Sequence, residues 1–245
     1  MPFTFSHPAI VLPLTYLPKR WFSLTGLVIG SMTPDFEYFI RMKVESEYSH
    51  TLNGLLWFDM PLGLLLCFIF QNIVRNNLFV NLPTFLQSRF LTFKQFNWNR
   101  HFKENWSVVI ISILIGAASH LFWDGFTHSN GYFVQTIPTL TNTVDLLGRQ
   151  IPILKILQHS STLIGGLIIA YAIYKLPRDR NIKGRINPKY WTTFFSITLT
   201  IILIRLISGL ELKQYGSLIV TAISAALISL TLTPLLTKTT EHNWR

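Results

Sequence analysis

His120, Asp124 and His128 recur every four residues in the stretch SHLFWDGFTHSNG. On a helix, residues four apart share a face. Two imidazoles and a carboxylate on one stripe are metal-ligand types at metal-ligand spacing. Gly125 and Gly131 follow closely and can end the helix before His128. A second group is Pro34-Asp35-Phe36-Glu37, fifteen residues before Ser49-His50-Thr51. His7 and His159 complete the candidate metal ligands: His7, Asp35, His50, His120, Asp124, His128 and His159. A lone histidine near a span end is more often an interfacial residue than a ligand, so the signal is the cluster. Glu37 is a candidate to support the ligands from behind, and Asp59 reads equally as such a partner or as a satisfied buried acid. A donor set of histidine and aspartate without thiolate suits zinc or another borderline divalent ion, in one or two copies. The single cysteine, Cys67, lies in an apolar run and allows no intramolecular disulfide.

Bound metal ions lower the pKa of water to about 7 and clamp the oxygens of a phosphoryl group. Asp35 and Asp124 are then the candidate catalytic carboxylates, with Asp35 placed to orient or deprotonate the attacking water. No HExxH helix, P-loop, GxSxG elbow or Rossmann glycine run occurs, which argues against zincin proteases, NTPases and serine hydrolases.

The elements that must hold these residues are membrane spans. Of the 245 residues 49% are hydrophobic and only 13% charged, against about 25% charged in a soluble domain. Five stretches reach the roughly 20 apolar residues that a span needs: 54–74, 106–126, 156–176, 190–210 and 215–236. A sixth, 21–34, is too short and ends at Pro34. It reads as a half-helix packed against the others, since irregular backbone at membrane depth is tolerated where protein buries it. The expected fold is therefore all-α: a polytopic transmembrane helical bundle. Residues 1–176 form a metal-site membrane domain, and 177–245 a C-terminal two-helix hairpin of the same bundle.

The net charge of +10 points to loops rather than nucleic acid, for which no motif is present. With five spans, 13 of the 21 basic residues fall on one side: in 75–105, in 175–189, and at Lys238 and Arg245. The positive-inside rule makes that side cytoplasmic, with the C-terminus. His7, Asp35, His50, His120, Asp124, His128 and His159 then share the outer side, while His101 and His242 fall on the other. The basic, aromatic 76–105 segment reads equally as a loop lying on the anionic inner leaflet or as an ordinary structured loop. Asp145 and Glu211 read as loop charges, and Arg205 as structural. The N-terminus, with three prolines and no basic region, does not read as a cleavable signal peptide.

The run MPFTFSHPA, followed by IGSMTPDFEYF, SHTLNG and SHLFWDGFTH, resembles a bacterial membrane family catalogued as domain of unknown function 4184. The resemblance covers most of the first 165 residues. The same order is similar to YdjM-like membrane-bound metal-dependent hydrolases and, more distantly, to zinc-dependent phospholipase C and P1-type nuclease. That likeness implies that Asp35, His50, His120 and Asp124 hold one ion. It implies that His7 and Asp124 share a neighbouring one, and that His128 and His159 hold a third. Two departures favour fewer ions. Leu163 stands where the pattern has an acid four residues after His159, and six residues precede His7 where the soluble enzymes use a free terminal amine.

The function expected is a metal-dependent hydrolase in the bacterial cytoplasmic membrane. It acts at the outer face on a phosphoester in a lipid or envelope substrate, with the bilayer as its partner. One alternative is a non-enzymatic metal-binding or structural membrane protein. The other is a transporter using Asp59, Arg205 and the histidines, against which the polar residues gather at one end rather than at the midplane.

Overall fold

The computed structural model describes residues 3–18, 20–182, 184 and 186–237. Lys19, Lys183, Arg185, Lys238, His242 and Arg245 lie outside the described residues. The described residues are mainly helical, with one hairpin and irregular connections between helices. A short helix, α1 (Leu24–Gly30), precedes five long ones: α2 (Leu55–Asn81), α3 (Trp98–Asp124), α4 (Ile153–Lys175), α5 (Pro188–Ile207) and α6 (Tyr215–Leu236). The five are long and apolar enough to cross a membrane. Only 11% of the apolar windows of α4 and of α5 is buried by protein. Water would not tolerate that much bare leucine and isoleucine, whereas acyl chains cover it without cost.

Two compact units divide the chain. Unit 1 comprises Met1–Asp35, Glu47–Leu64 and Phe102–Lys175; unit 2 comprises Phe36–Ser46, Leu65–His101 and Leu176–Arg245.

In unit 1 the expected half-helix is α1. Ser23 caps it, its hydroxyl accepting from the Gly26 N–H at 3.3 Å. Seven residues give about 10 Å of helix, too little to span. Beyond it the backbone tightens into a 3-10 turn, Thr33–Asp35, where Pro34 cannot continue the α-helical bonding. Gly26 and Gly30 form a GxxxG pair, the small-residue spacing that lets helices approach closely in lipid. A Cβ on Gly30 would lie 2.3 Å from the Ile113 carbonyl, and one on Gly116 of α3 would lie 2.5 Å from the Leu27 carbonyl. Leu27, Val109, Ile113 and Ala117 are fully buried at this seam. The α3 stripe continues beyond Ala117 as His120 and Asp124, so one helix face is apolar where it packs and polar where it ends.

Helix α2 carries wide π-type turns at Leu55–Asp59 and Phe70–Val74. It runs to Asn81, past the expected end at 74. The extension is possible because Arg75 at the overrun is engaged by Gln71, Asn76 and the Phe96 carbonyl. Helix α3 begins at Trp98 but is broken at Asn105 (φ −137°, ψ 32°), so its straight part starts where the second span was expected. The 76–105 segment is structured, with helices at Thr84–Phe90 and Leu91–Phe93.

In unit 2, α5 and α6 pack together, and Thr198 donates to the Ser229 hydroxyl at 2.9 Å. Ser224 and Ser229 return hydrogen bonds to the carbonyls of Val220 and Ala225, both at 2.7 Å. Hydroxyls on a span are thereby satisfied within it.

Among the described residues the only strands are β1 (Thr143–Leu146) and β2 (Arg149–Pro152), an antiparallel hairpin where the sequence predicts a loop. Leu147 and Gly148 at its turn have φ of 54° and 78°. Positive φ at both central residues is the turn geometry that matches strand twist. Asp145, read as a loop charge, accepts from the Gly148 N–H at 3.0 Å.

Candidate metal centre

Four side chains from three segments of unit 1 converge. Asp35 closes the 3-10 turn after α1 and is fully buried. Its Oδ2 accepts a hydrogen bond from the Thr4 hydroxyl at 2.5 Å, which leaves Oδ1 facing the other ligands. His50 sits in the turn before α2, its Nδ1 3.0 Å from the Ser49 hydroxyl. His120 and Asp124 come from the last turns of α3. His120 Nδ1 lies 2.8 Å from the Ser31 carbonyl. A carbonyl can only accept, so Nδ1 carries a proton, and in the neutral ring Nε2 is then the nitrogen able to act as a ligand. Ligating histidines are oriented by this kind of contact.

Asp35 Oδ1 stands 3.5 Å from Nε2 of both His50 and His120. Asp124 Oδ2 stands 3.6 Å from His50 Nε2 and 3.4 Å from His120 Nε2. These separations are long for hydrogen bonds, which run about 2.7–3.2 Å. They suit atoms around a common ion: ligands about 2.0–2.1 Å from a tetrahedral centre stand about 3.3–3.4 Å apart. One ligand atom from each of the four residues lies within 4.8 Å of the other three. Asp35 Oδ1, His120 Nε2 and both Asp124 oxygens are buried and lack a hydrogen-bond partner among the described residues. Two carboxylates and two neutral imidazoles carry the charge that one divalent cation balances, so the donor set fits a metal ion.

His7 and His128 flank the four through Asp124. His7 stacks on His120 with ring centroids 3.7 Å apart, and its Nε2 lies 3.6 Å from Asp124 Oδ1. His128 lies past the end of α3, its Nδ1 3.1 Å from the Asp124 carbonyl and 3.5 Å from Oδ2. The side chains of His50 and His128 are 20% and 25% exposed, those of Asp35 and His120 not at all. The cluster is therefore open on the His50 and His128 side.

The electrostatics follow from burial and from opposite charges. Burial, reinforced by the neighbouring His120, pushes the His7 pKa down to about 3. Burial likewise lowers that of His128 against the pull of Asp124. For His50, burial works against the charged form, yet Asp124 and Asp35 outweigh it and raise the pKa. For Asp35, burial opposes ionisation, but His120 and His50 hold it below the ordinary carboxylate range. A carboxylate kept ionised in a closed site is ready to bind a cation.

The remaining candidates lie elsewhere. His159 is exposed on α4, and among the described residues it joins no hydrogen bond or ion pair. Glu37 belongs to unit 2, where Arg41 pairs with its Oε1 at 2.8 Å and Ser46 donates to Oε2 at 3.2 Å. Asp59 is fully buried in the first wide turn of α2, which packs against Thr33–Asp35. Sequence reading did not single out Thr4 or the Ser31 carbonyl. Thr4 stands in the MPFTFSHPA run, three residues before His7. A backbone carbonyl leaves no mark in a sequence.

Five membrane-length helices and a largely buried Asp/His quartet define a polytopic α-helical membrane protein with a group able to hold a metal ion. The family model Domain of unknown function (DUF4184) matches residues 1–235, and the chain belongs to that family. The match extends through α5 and α6, beyond the motifs that carried the resemblance. No curated protein and no solved structure matches the chain.

Proposed function

We propose that the protein is a metal-dependent hydrolase that cleaves a phosphoester in a lipid or envelope substrate. The observation that carries this reading is the set of four ligand atoms of Asp35, His50, His120 and Asp124. Each imidazole Nε2 stands 3.4–3.6 Å from each carboxylate, and the buried oxygens of Asp124 have no hydrogen-bond partner among the described residues. Zinc or a similar ion held there supplies a bound water of lowered pKa and a counter-charge for a phosphoryl group.

The chain's own residues divide the remaining work. Thr4 and the Ser31 carbonyl fix Asp35 and His120, so the donors are set before a ligand arrives. Asp35 Oδ1 points into the cluster and orients water there. Asp124 offers one oxygen to His7 and the other to His50, His120 and His128, which suits it to bridge two neighbouring positions. The partly exposed His50 and His128 line the open side of the cluster. The order of these residues, similar to that of YdjM-like hydrolases and of zinc-dependent phospholipase C and P1-type nuclease, supports the reading. So does the chemistry of the donor set.

The test is hydrolysis by zinc-loaded protein in nanodiscs, offered a glycerophospholipid and a soluble phosphodiester. Asp35→Asn should reduce turnover at least 100-fold while the protein remains folded. Full metal occupancy with no hydrolysis of either substrate would leave a metal-binding membrane protein and refute the enzyme.

A further inference from the structure

A groove of about 270 Å³ opens beside the metal centre in unit 1. Its lining on α4 is Leu157, Ser160, Ser161, Ile164, Gly165 and Ile168. These positions follow the i, i+3, i+4, i+7 spacing of one helix face. The stripe is about 16 Å long, half of the ~30 Å hydrocarbon core and so one leaflet deep. Ser6, His7, Ala9, Ile10 and Trp123 complete the lining.

The groove exists because the N-terminal segment seats directly on α4. A Cβ on Gly165 would lie 2.8 Å from the Ser6 carbonyl, and the Phe3 N–H donates to Thr162 at 3.0 Å. Two of its hydroxyls are occupied. Ser6 donates to the Thr162 carbonyl at 3.0 Å, and Ser161 donates to the Leu157 carbonyl. Apart from Ser160 and the His7 ring, the rest of the lining is apolar.

The surroundings identify the occupant. Helix α4 is a membrane-length helix with 11% of its apolar window buried, and Leu163 and Leu167 beside the groove are 65% and 61% exposed. Acyl chains must cover this face, and the groove continues that lipid-facing surface inward to His7. The His7 ring stacks on His120 and reaches Asp124.

We propose that the groove seats one acyl chain of a bilayer lipid and thereby delivers that lipid's headgroup phosphoester to the Asp35–His50–His120–Asp124 cluster. This rests on the hydrolase reading and narrows its substrate to a membrane lipid.

The probe is a phosphatidylglycerol with a diazirine in its acyl chain, photolysed in nanodiscs holding the zinc-loaded full-length protein. Adducts are mapped by mass spectrometry, and bound zinc is measured on the same samples. Ile10, Leu157 and Ile164 should be labelled at least fivefold more than Leu199 and Leu203, which are exposed on α5. Ser161→Trp, which fills the groove floor, should remove that excess, and Ile168→Trp should do the same from the far end should the first variant fail to fold. Zinc content should stay at the wild-type level in both. Even labelling of α4 and α5, or an excess that survives both substitutions, overturns the groove. Preferential labelling without zinc in the wild type keeps the lipid groove and defeats the hydrolase on which its substrate role rests.

Discussion

The two units bury charged side chains in opposite ways. In unit 2, each buried charge has protein partners. Glu37 is held by Arg41 and Ser46, Arg75 by Gln71, Asn76 and the Phe96 carbonyl, and Arg89 by the Phe85 carbonyl and ring. In unit 1, Asp35 Oδ1 and both oxygens of Asp124 are buried and lack a hydrogen-bond partner among the described residues, while imidazole nitrogens stand 3.4–3.6 Å away. A buried carboxylate without a partner is among the most costly groups a fold can contain. Unit 2 satisfies its charges internally. Unit 1 has arranged its charges around a point that a cation would satisfy, and that difference separates a structural polar network from a group able to hold a metal ion.

The largest effect expected from breaking this contrast is metal removal. A ligand present at 1,000 times its Kd stabilises the folded state by about 4.1 kcal/mol. Chelation should therefore lower the thermal midpoint of the detergent-solubilised protein by several degrees, and zinc should restore it. A midpoint indifferent to chelator would place unit 1 with unit 2.

Next comes Gly30→Val. The new Cβ meets the Ile113 backbone at the α1–α3 seam, and overpacking of this kind costs about 1–3 kcal/mol. Because Ser31 and Asp35 follow α1, zinc content should fall together with stability. Retained zinc at lowered stability would show that the seam does not position the cluster.

The pH response sharpens the comparison further. The His50 pKa is raised above its ordinary 6.5, so its proton competes with metal from above pH 6.5 downward. His7, pushed down to about 3, stays neutral through that range. Zinc affinity should thus fall as pH drops, by about tenfold per unit for each proton displaced. Titration calorimetry at about pH 8 and about pH 5.5, on either side of the ordinary imidazole pKa, would show it. Affinity flat across that range contradicts proton competition at His50.

The smallest effect belongs to unit 2. Glu37→Gln keeps the shape and removes the charge facing Arg41, whose side chain is 30% exposed. About 1 kcal/mol of stability should go. Zinc content should not change, and a drop in zinc would assign Glu37 to the centre after all.

Much of this arrangement was legible beforehand, because lipid enforces simple rules. Five apolar runs became α2 to α6, and the sixth run gave a helix too short to span, though it ends at Gly30, ahead of the expected Pro34. The four-residue spacing of His120 and Asp124 put both on one face, and the structure brings Asp35 and His50 to them. Three things were not legible. The hairpin at Thr143–Pro152 rests on a two-residue turn at Leu147-Gly148 that lacks the usual asparagine or aspartate signal. His159 matched a pattern in sequence order, but whether a residue faces a cluster or lipid depends on helix rotation, which packing sets. Glu37 lies two residues from Asp35, yet the helix Phe36–Arg41 gives its carboxylate to Arg41, four residues on.

The central claim is that Asp35, His50, His120 and Asp124 hold a metal ion. Elemental mass spectrometry on detergent-purified protein never exposed to chelator tests it most directly, with wild type beside His120→Ala and Asp35→Ala. One to two equivalents (about the number that such a donor set supports) of zinc or a similar ion in the wild type, lost in both variants, is the predicted result. Wild-type protein without stoichiometric metal, or variants that retain it, would contradict the account.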